Sequence, residues 1–114
     1  NSSMLVLLDK PANADTLKKV SQDLVGYIKF VVDVQKQIMT AGGLRHFEGE
    51  QLLLSQGSRQ NDLWGGGFDL QTKEIDYESM INIRPSQNNP SREVLDSALR
   101  TIIKQMVSQL LVEI

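Results

Sequence analysis

The side chains whose types and spacing could do chemistry are Asp33, Asn61, Glu78, Asn82 and Arg84. If the chain from Asn61 to Arg84 doubles back at Gln71-Thr72, with Leu70 opposite Lys73, then Asn61 falls opposite Asn82 and Gly65 opposite Glu78, with Arg84 close by. Asp33 joins them from a preceding strand. An Arg, two amides and two carboxylates on one concave face could fix a small polar ligand by directional, partly charge-assisted hydrogen bonds. The same residues also suit an ordinary wet sheet face carrying a Glu78–Arg84 charge pair, an arrangement worth little at a surface.

A second constellation is His46, Glu48 and Glu50, spaced by two. On a strand that spacing points an imidazole and two carboxylates to one side, a weak candidate for holding a metal ion. Gly49 loosens the strand and no further ligand is tied to the set, so a solvated face explains it and no metal or cofactor is expected. Gly65, Gly66 and Gly67 lack the following helix and the Gly-Lys-Ser/Thr that a phosphate loop needs; they fit a bulge or a close backbone approach. No Ser or Cys is tied to His46 by a motif, so the reading leans away from an enzyme.

These residues depend on elements legible from periodicity. Met4 to Leu8 reads as a short buried strand closed by Asp9 and Pro11. Asn13 or Asp15 caps a helix with Leu17, Val20 and Leu24 at helical spacing, ended by Gly26. From Tyr27 the period becomes two, with Ile28, Phe30, Val32 and Val34 on the dry face of a long strand that runs toward Gln37. Gly42-Gly43 then suits a hairpin, returning along Leu44 to Leu54 with Val32 facing Leu53 and Ile38 facing Phe47. Asp62 to Phe68 is the next strand, and Ile75 to Arg84 the last, with Phe68 beside Ile75, Gly66 beside Tyr77 and Trp64 beside Ser79 until Pro85. In that register the Tyr77 ring covers Gly66, and Trp64 points into the core. Asp96 caps a final helix whose Leu99, Ile102, Ile103, Met106, Val107, Leu110 and Leu111 form one apolar stripe for packing on the sheet.

The expected architecture is therefore α+β: a two-layer, mostly antiparallel curled sheet of about five strands, ordered β-α-β-β-β-β-α, with two helices on one face in a cystatin-like arrangement. A chain of 114 residues is one domain, taken as 4–114, with 1–3 as an artificial remnant or a disordered lead-in. The absence of cysteine removes disulfide scaffolds, thiolate metal sites and Cys nucleophiles, and suits a reducing, cytoplasmic setting. Twelve basic against 14 acidic residues, interspersed, give a net charge of −2 and no footprint for nucleic acid. The longest apolar run, Met4 to Leu8, is far short of the roughly 20 residues of a membrane span.

VVDVQKQIMTAGG at Val31 to Gly43, QGSRQNDLWGG at Gln56 to Gly66 and YESMINIRPSQNN at Tyr77 to Asn89 resemble a family of small prokaryotic proteins catalogued as a domain of unknown function. The resemblance runs from Met4 to Leu111; it implies a shared α+β fold and brings no activity with it. Gly66-Gly67 departs from the larger residues expected in that strand. The functional expectation is a small soluble binding or assembly module, a homodimer through a sheet face or edge or a holder of a small polar ligand. The alternative is a small-molecule-handling enzyme or sensor that uses the polar sheet face, with His46 as proton carrier.

Overall fold

A computed structural model describes residues 4–111, so the expectation for Asn1 to Ser3 falls outside the described residues. The elements are β1 (Leu5–Leu8), α1 (Ala14–Val20), β2 (Tyr27–Asp33), β3 (Ile38–Gly42), α2 (His46–Ser55), β4 (Leu63–Asp69), β5 (Ile75–Asp76) and α3 (Ser97–Leu110). The five strands form one sheet in the order β1-β3-β2-β4-β5, antiparallel at every pairing. The α+β class and the antiparallel five-stranded sheet are as expected. The helix count is not: there are three among the described residues, one of them on the opposite face of the sheet from the other two, and a cystatin-like arrangement is not supported.

Alternation along the strands separates two apolar sets. Ile28, Phe30 and Val32 of β2, Met39 and Ala41 of β3, and Trp64 and Phe68 of β4 pack with Leu17 and Val20 of α1 and Ile103, Met106, Val107 and Leu110 of α3. The opposite face carries a smaller cluster in which Val31 and Leu63 meet Leu53 of α2, with Ile38, Leu54 and Ile81 around them. The sheet is thus sandwiched, with α1 and α3 below and α2 above. Both lower helices are capped as the sequence suggests. Asn13 Oδ1 accepts the Thr16 amide at 2.8 Å and Asp96 Oδ1 accepts the Ala98 amide at 2.8 Å, each satisfying an orphan N–H of a first turn.

The long strand expected from Tyr27 is cut at Asp33. That side chain is fully buried; its Oδ1 accepts the amides of Gln35 and Lys36, both at 2.9 Å, folding residues 34–37 into a turn. Gln37 completes it with a φ of 59°. The hairpin therefore sits between β2 and β3, and Val32 pairs with Met39 instead of facing Leu53.

Gly42 and Gly43 do have positive φ, 98° and 85°, but they feed a helix and not a returning strand. Glu48 is the reason: its Oε1 accepts the Leu44 amide at 3.0 Å and the Arg45 amide at 3.4 Å, closing the first turn of α2 from within. Gly49, a poor helix former, is used for contact. A Cβ there would run into Thr40 Oγ1 and stand 3.0 Å from Val31 Cγ2, so its absence lets α2 lie directly on the sheet.

The last strand is also shorter than its alternation implies. Phe68 pairs with Ile75 as expected and Gly67 with Asp76, but the ladder stops there. Ser79 Oγ accepts the Ile81 amide at 3.2 Å and starts a 3-10 turn at Met80–Asn82. Asn82, fully buried, takes the place of a strand partner: its Oδ1 accepts the Gly65 amide at 2.8 Å and its Nδ2 donates to the Gly65 carbonyl at 2.9 Å. A side-chain amide carries the same donor and acceptor as a peptide unit, so one residue finishes the edge of β4 without a strand. Ile83 is consequently exposed and Ile81 joins the α2 layer.

Candidate functional site

The five side chains expected to make one polar face are dispersed, and three of them serve the scaffold. Asp33 holds the β2–β3 turn and takes the Ser58 hydroxyl at 2.6 Å on its Oδ2. Asn82 shares its remaining N–H between the carbonyls of Tyr77 at 3.1 Å and Arg92 at 3.0 Å. Arg84 does not pair with Glu78. Its guanidinium donates to the Gln60 and Leu63 carbonyls and lies 4.0 Å over the Trp64 ring, clamping the entry to β4. Burial lowers its pKa, with Glu50 and Asp62 opposing that shift. Asn61 is exposed, and its carbonyl accepts from Gln87 Nε2 at 3.1 Å.

The His46, Glu48 and Glu50 set loses its premise, since these residues lie on a helix, where a spacing of two turns side chains apart. Glu48 caps α2, and Glu50 is buried with Gln60 Nε2 donating to it at 3.2 Å. No group of three or more metal-ligating side chains occurs among the described residues.

His46 takes part in a different site. On the α2 face of the sheet, Gly65 and Gly67 of β4 leave bare backbone, and other side chains fill the space. A Cβ on Gly65 would stand 2.7 Å from Ser79 Cβ and 3.0 Å from His46 Cδ2, and one on Gly67 would overlap the Tyr27 hydroxyl. The tyrosine-over-glycine compensation expected of Tyr77 and Gly66 is thus made by Tyr27 and Gly67. Above this strip opens a cleft of about 260 Å³, lined by Tyr27 and Lys29 from β2, His46 from the start of α2, Asp76 from β5, and Glu78, Ser79, Met80 and Arg92 from the irregular chain beyond it. Of the five side chains expected to contact a ligand, Glu78 is the one that reaches this cleft.

Its polar groups are set by hydrogen bonds. Tyr27 Oη donates to Asp76 Oδ2 at 2.5 Å. Burial first, then this bond and the charge of Asp76, push the phenol pKa well above its ordinary value, so Tyr27 remains a donor at neutral pH. Asp76 Oδ1 accepts the Glu78 amide at 3.1 Å. His46 Nε2 lies 2.7 Å from the Gly66 carbonyl; since a carbonyl only accepts, Nε2 carries the proton and Nδ1 is the lone-pair nitrogen of the neutral ring. Burial lowers the His46 pKa and Lys29 adds to the effect, against the Gly66 bond and Asp76. The ion pair found among the described residues is Arg100–Glu93; Lys29 and Arg92 have no carboxylate of those residues within bridging distance.

Lys29, His46, Ser79 and Met80 also line an adjoining groove of about 270 Å³ completed by Arg45, Phe47 and Ile81. Phe47 is 59% exposed and Met80 67%, two large apolar side chains open beside the same groove. The sequence signals for this site are faint: Tyr27, Lys29 and Asp76 occupy the face of β2 and β5 opposite the apolar alternation, whereas Arg92 and Met80 are brought in by irregular chain. No helix among the described residues is long and apolar enough to cross a membrane.

The sequence model of the family described as Protein of unknown function (DUF5674) matches residues 6–110, and the chain belongs to that family. No curated protein and no solved structure matches it.

Proposed function

We propose that this family member is a non-enzymatic binding module for a small polar ligand, held in the cleft over Gly65 and Gly67. The observation that carries this reading is the pairing of a stripped strand with unused charge. Tyr27, His46 and Ser79 crowd onto glycines that tolerate no Cβ, while Lys29 and Arg92 line the same opening with no carboxylate partner of their own among the described residues. Side chains held in place by their own hydrogen bonds, beside charges that are not taken up in ion pairs, are what a polar ligand needs in order to be oriented. Tyr27, kept as a phenol with its proton donated in a hydrogen bond to Asp76, is no base at neutral pH, which favours holding a ligand over transforming it. The near-balanced charge of the chain, −2 in total, fits a small-molecule partner better than nucleic acid, and the lack of cysteine suits a cytoplasmic setting. Residues 4–114, of which 112–114 lie outside the described residues, would form the single domain that carries the site.

The test is an amide-resolved NMR titration of the whole chain against amino acids, carboxylates, amines and inorganic phosphate. The expected result is a set of shifts confined to Lys29, His46, Asp76, Ser79 and Arg92. If no compound moves those resonances at millimolar concentration, the reading fails.

A second reading, homodimerisation, is favoured by one observation: among the described residues β1 pairs only with β3, so its outer edge is open, and Leu7 beside it is 39% exposed. An open edge can add a strand from a second copy. Light scattering after size exclusion would read a twofold mass, and a monomer at high concentration would remove the idea.

A further inference from the structure

Charge balance in the cleft narrows the ligand class. Lys29 and Arg92 bring two positive charges to the lining and Asp76 and Glu78 two negative ones, so neither a phosphate nor a simple cation meets a complementary wall: each is attracted by one pair and repelled by the other. A zwitterion satisfies both pairs at once. The adjoining groove offers a different surface, since Phe47, Met80 and Ile81 line it, and it joins the cleft through Lys29, His46, Ser79 and Met80. Exposed Met80 at this junction and exposed Phe47 within the groove are where a short apolar side chain would be covered, and methionine adapts its shape to such partners.

We infer that the ligand is an amino acid with an apolar side chain. Its ammonium is directed to Asp76 and Glu78, its carboxylate to Lys29 and Arg92, and its side chain into the groove of Phe47, Met80 and Ile81. This rests on the binding reading above and adds to it the ligand's chemical class. The two parts, about 260 Å³ and about 270 Å³, each lie near the lower bound of roughly 300 Å³ usual for ligand sites, which suits a molecule of that size. The Tyr27 hydroxyl, committed to Asp76 Oδ2, holds that carboxylate in place for the ammonium.

The probes are L-leucine, L-leucinamide, 4-methylpentanoate and glycine, titrated into the 15N-labelled chain. L-Leucine is expected to shift the amides of Lys29, Asp76, Ser79 and Met80, and each probe that lacks one recognition element is expected to bind at least about tenfold more weakly, the loss anticipated for one charge-assisted contact or a buried side chain. Arg92→Gln should weaken L-leucine without weakening L-leucinamide, whereas Asp76→Asn should weaken L-leucinamide without weakening 4-methylpentanoate. Unchanged resonances in α1 and α3 would show that both variants are folded. Equal binding of 4-methylpentanoate and L-leucine, or cleft shifts with inorganic phosphate and none with L-leucine, would overturn the amino-acid assignment while sparing the binding reading. No shift with any probe would overturn both.

Discussion

Asn82 shows how much one side chain can be asked to do. Its amide closes the edge of β4 at Gly65 and gathers the carbonyls of Tyr77 and Arg92, and the residue itself is fully buried. Truncation leaves the buried Gly65 N–H and carbonyl without partners at about 1–3 kcal/mol each, so Asn82→Ala should lower stability by about 3 kcal/mol or more in urea unfolding. An unchanged midpoint would contradict the role assigned to it. His46 makes a pH prediction. Its folded pKa lies below the ordinary value of 6.5, so the folded state resists the proton that the unfolded chain accepts. The associated stability is complete above about pH 6.5 and is lost as the pH falls from there through the folded pKa. The melting temperature should therefore drop between about pH 7 and 5. His46→Gln, which keeps a donor for the Gly66 carbonyl, should flatten that part of the profile.

At the scale of elements, short connections decide what each strand becomes. Val25 precedes Gly26 with a φ of 51° and is 92% exposed, a left-handed backbone that a β-branched residue adopts at a cost of about 1–2 kcal/mol. Val25→Asn should raise stability by about 1 kcal/mol, read as a higher denaturation midpoint, because Asn accepts that conformation and no packing is lost. The Gly65-Gly66-Gly67 strip works in the opposite sense. A Cβ at Gly67 would displace the Tyr27 ring, so Gly67→Ala should cost about 1–3 kcal/mol as overpacking does and should abolish ligand-induced shifts at Asp76. The triple glycine is legible in the sequence as a close approach of something to the backbone. What approaches is not, because Tyr27, His46 and Ser79 come from three separate parts of the chain. Likewise α2 reads in sequence as a strand: Gly49 argues against a helix locally, and only the packing of Thr40 and Val31 beneath it explains the glycine.

For the whole molecule, the lower layer is readable and the upper one is not. The stripe of α3, the caps at Asn13 and Asp96, and the dry alternation of β2 are repeated local signals, and all of them lead to the α1/α3 side of the sheet. The upper layer depends on single residues acting at a distance: Asp33 stopping a strand, Glu48 starting a helix, Asn82 standing in for a strand. Such solitary polar residues read alike whether they serve a surface, a scaffold or a site, which is why Asp33, Asn82 and Arg84 read in sequence as ligand contacts. The lone Trp64 belongs to the readable layer. It is 3% exposed and has the Arg84 guanidinium 4.0 Å above its ring. The chain therefore contains a single indole fluorophore in a dry setting, whose emission should lie to the blue in the folded protein and move to the red when the lower layer opens, so that unfolding can be followed optically without any label.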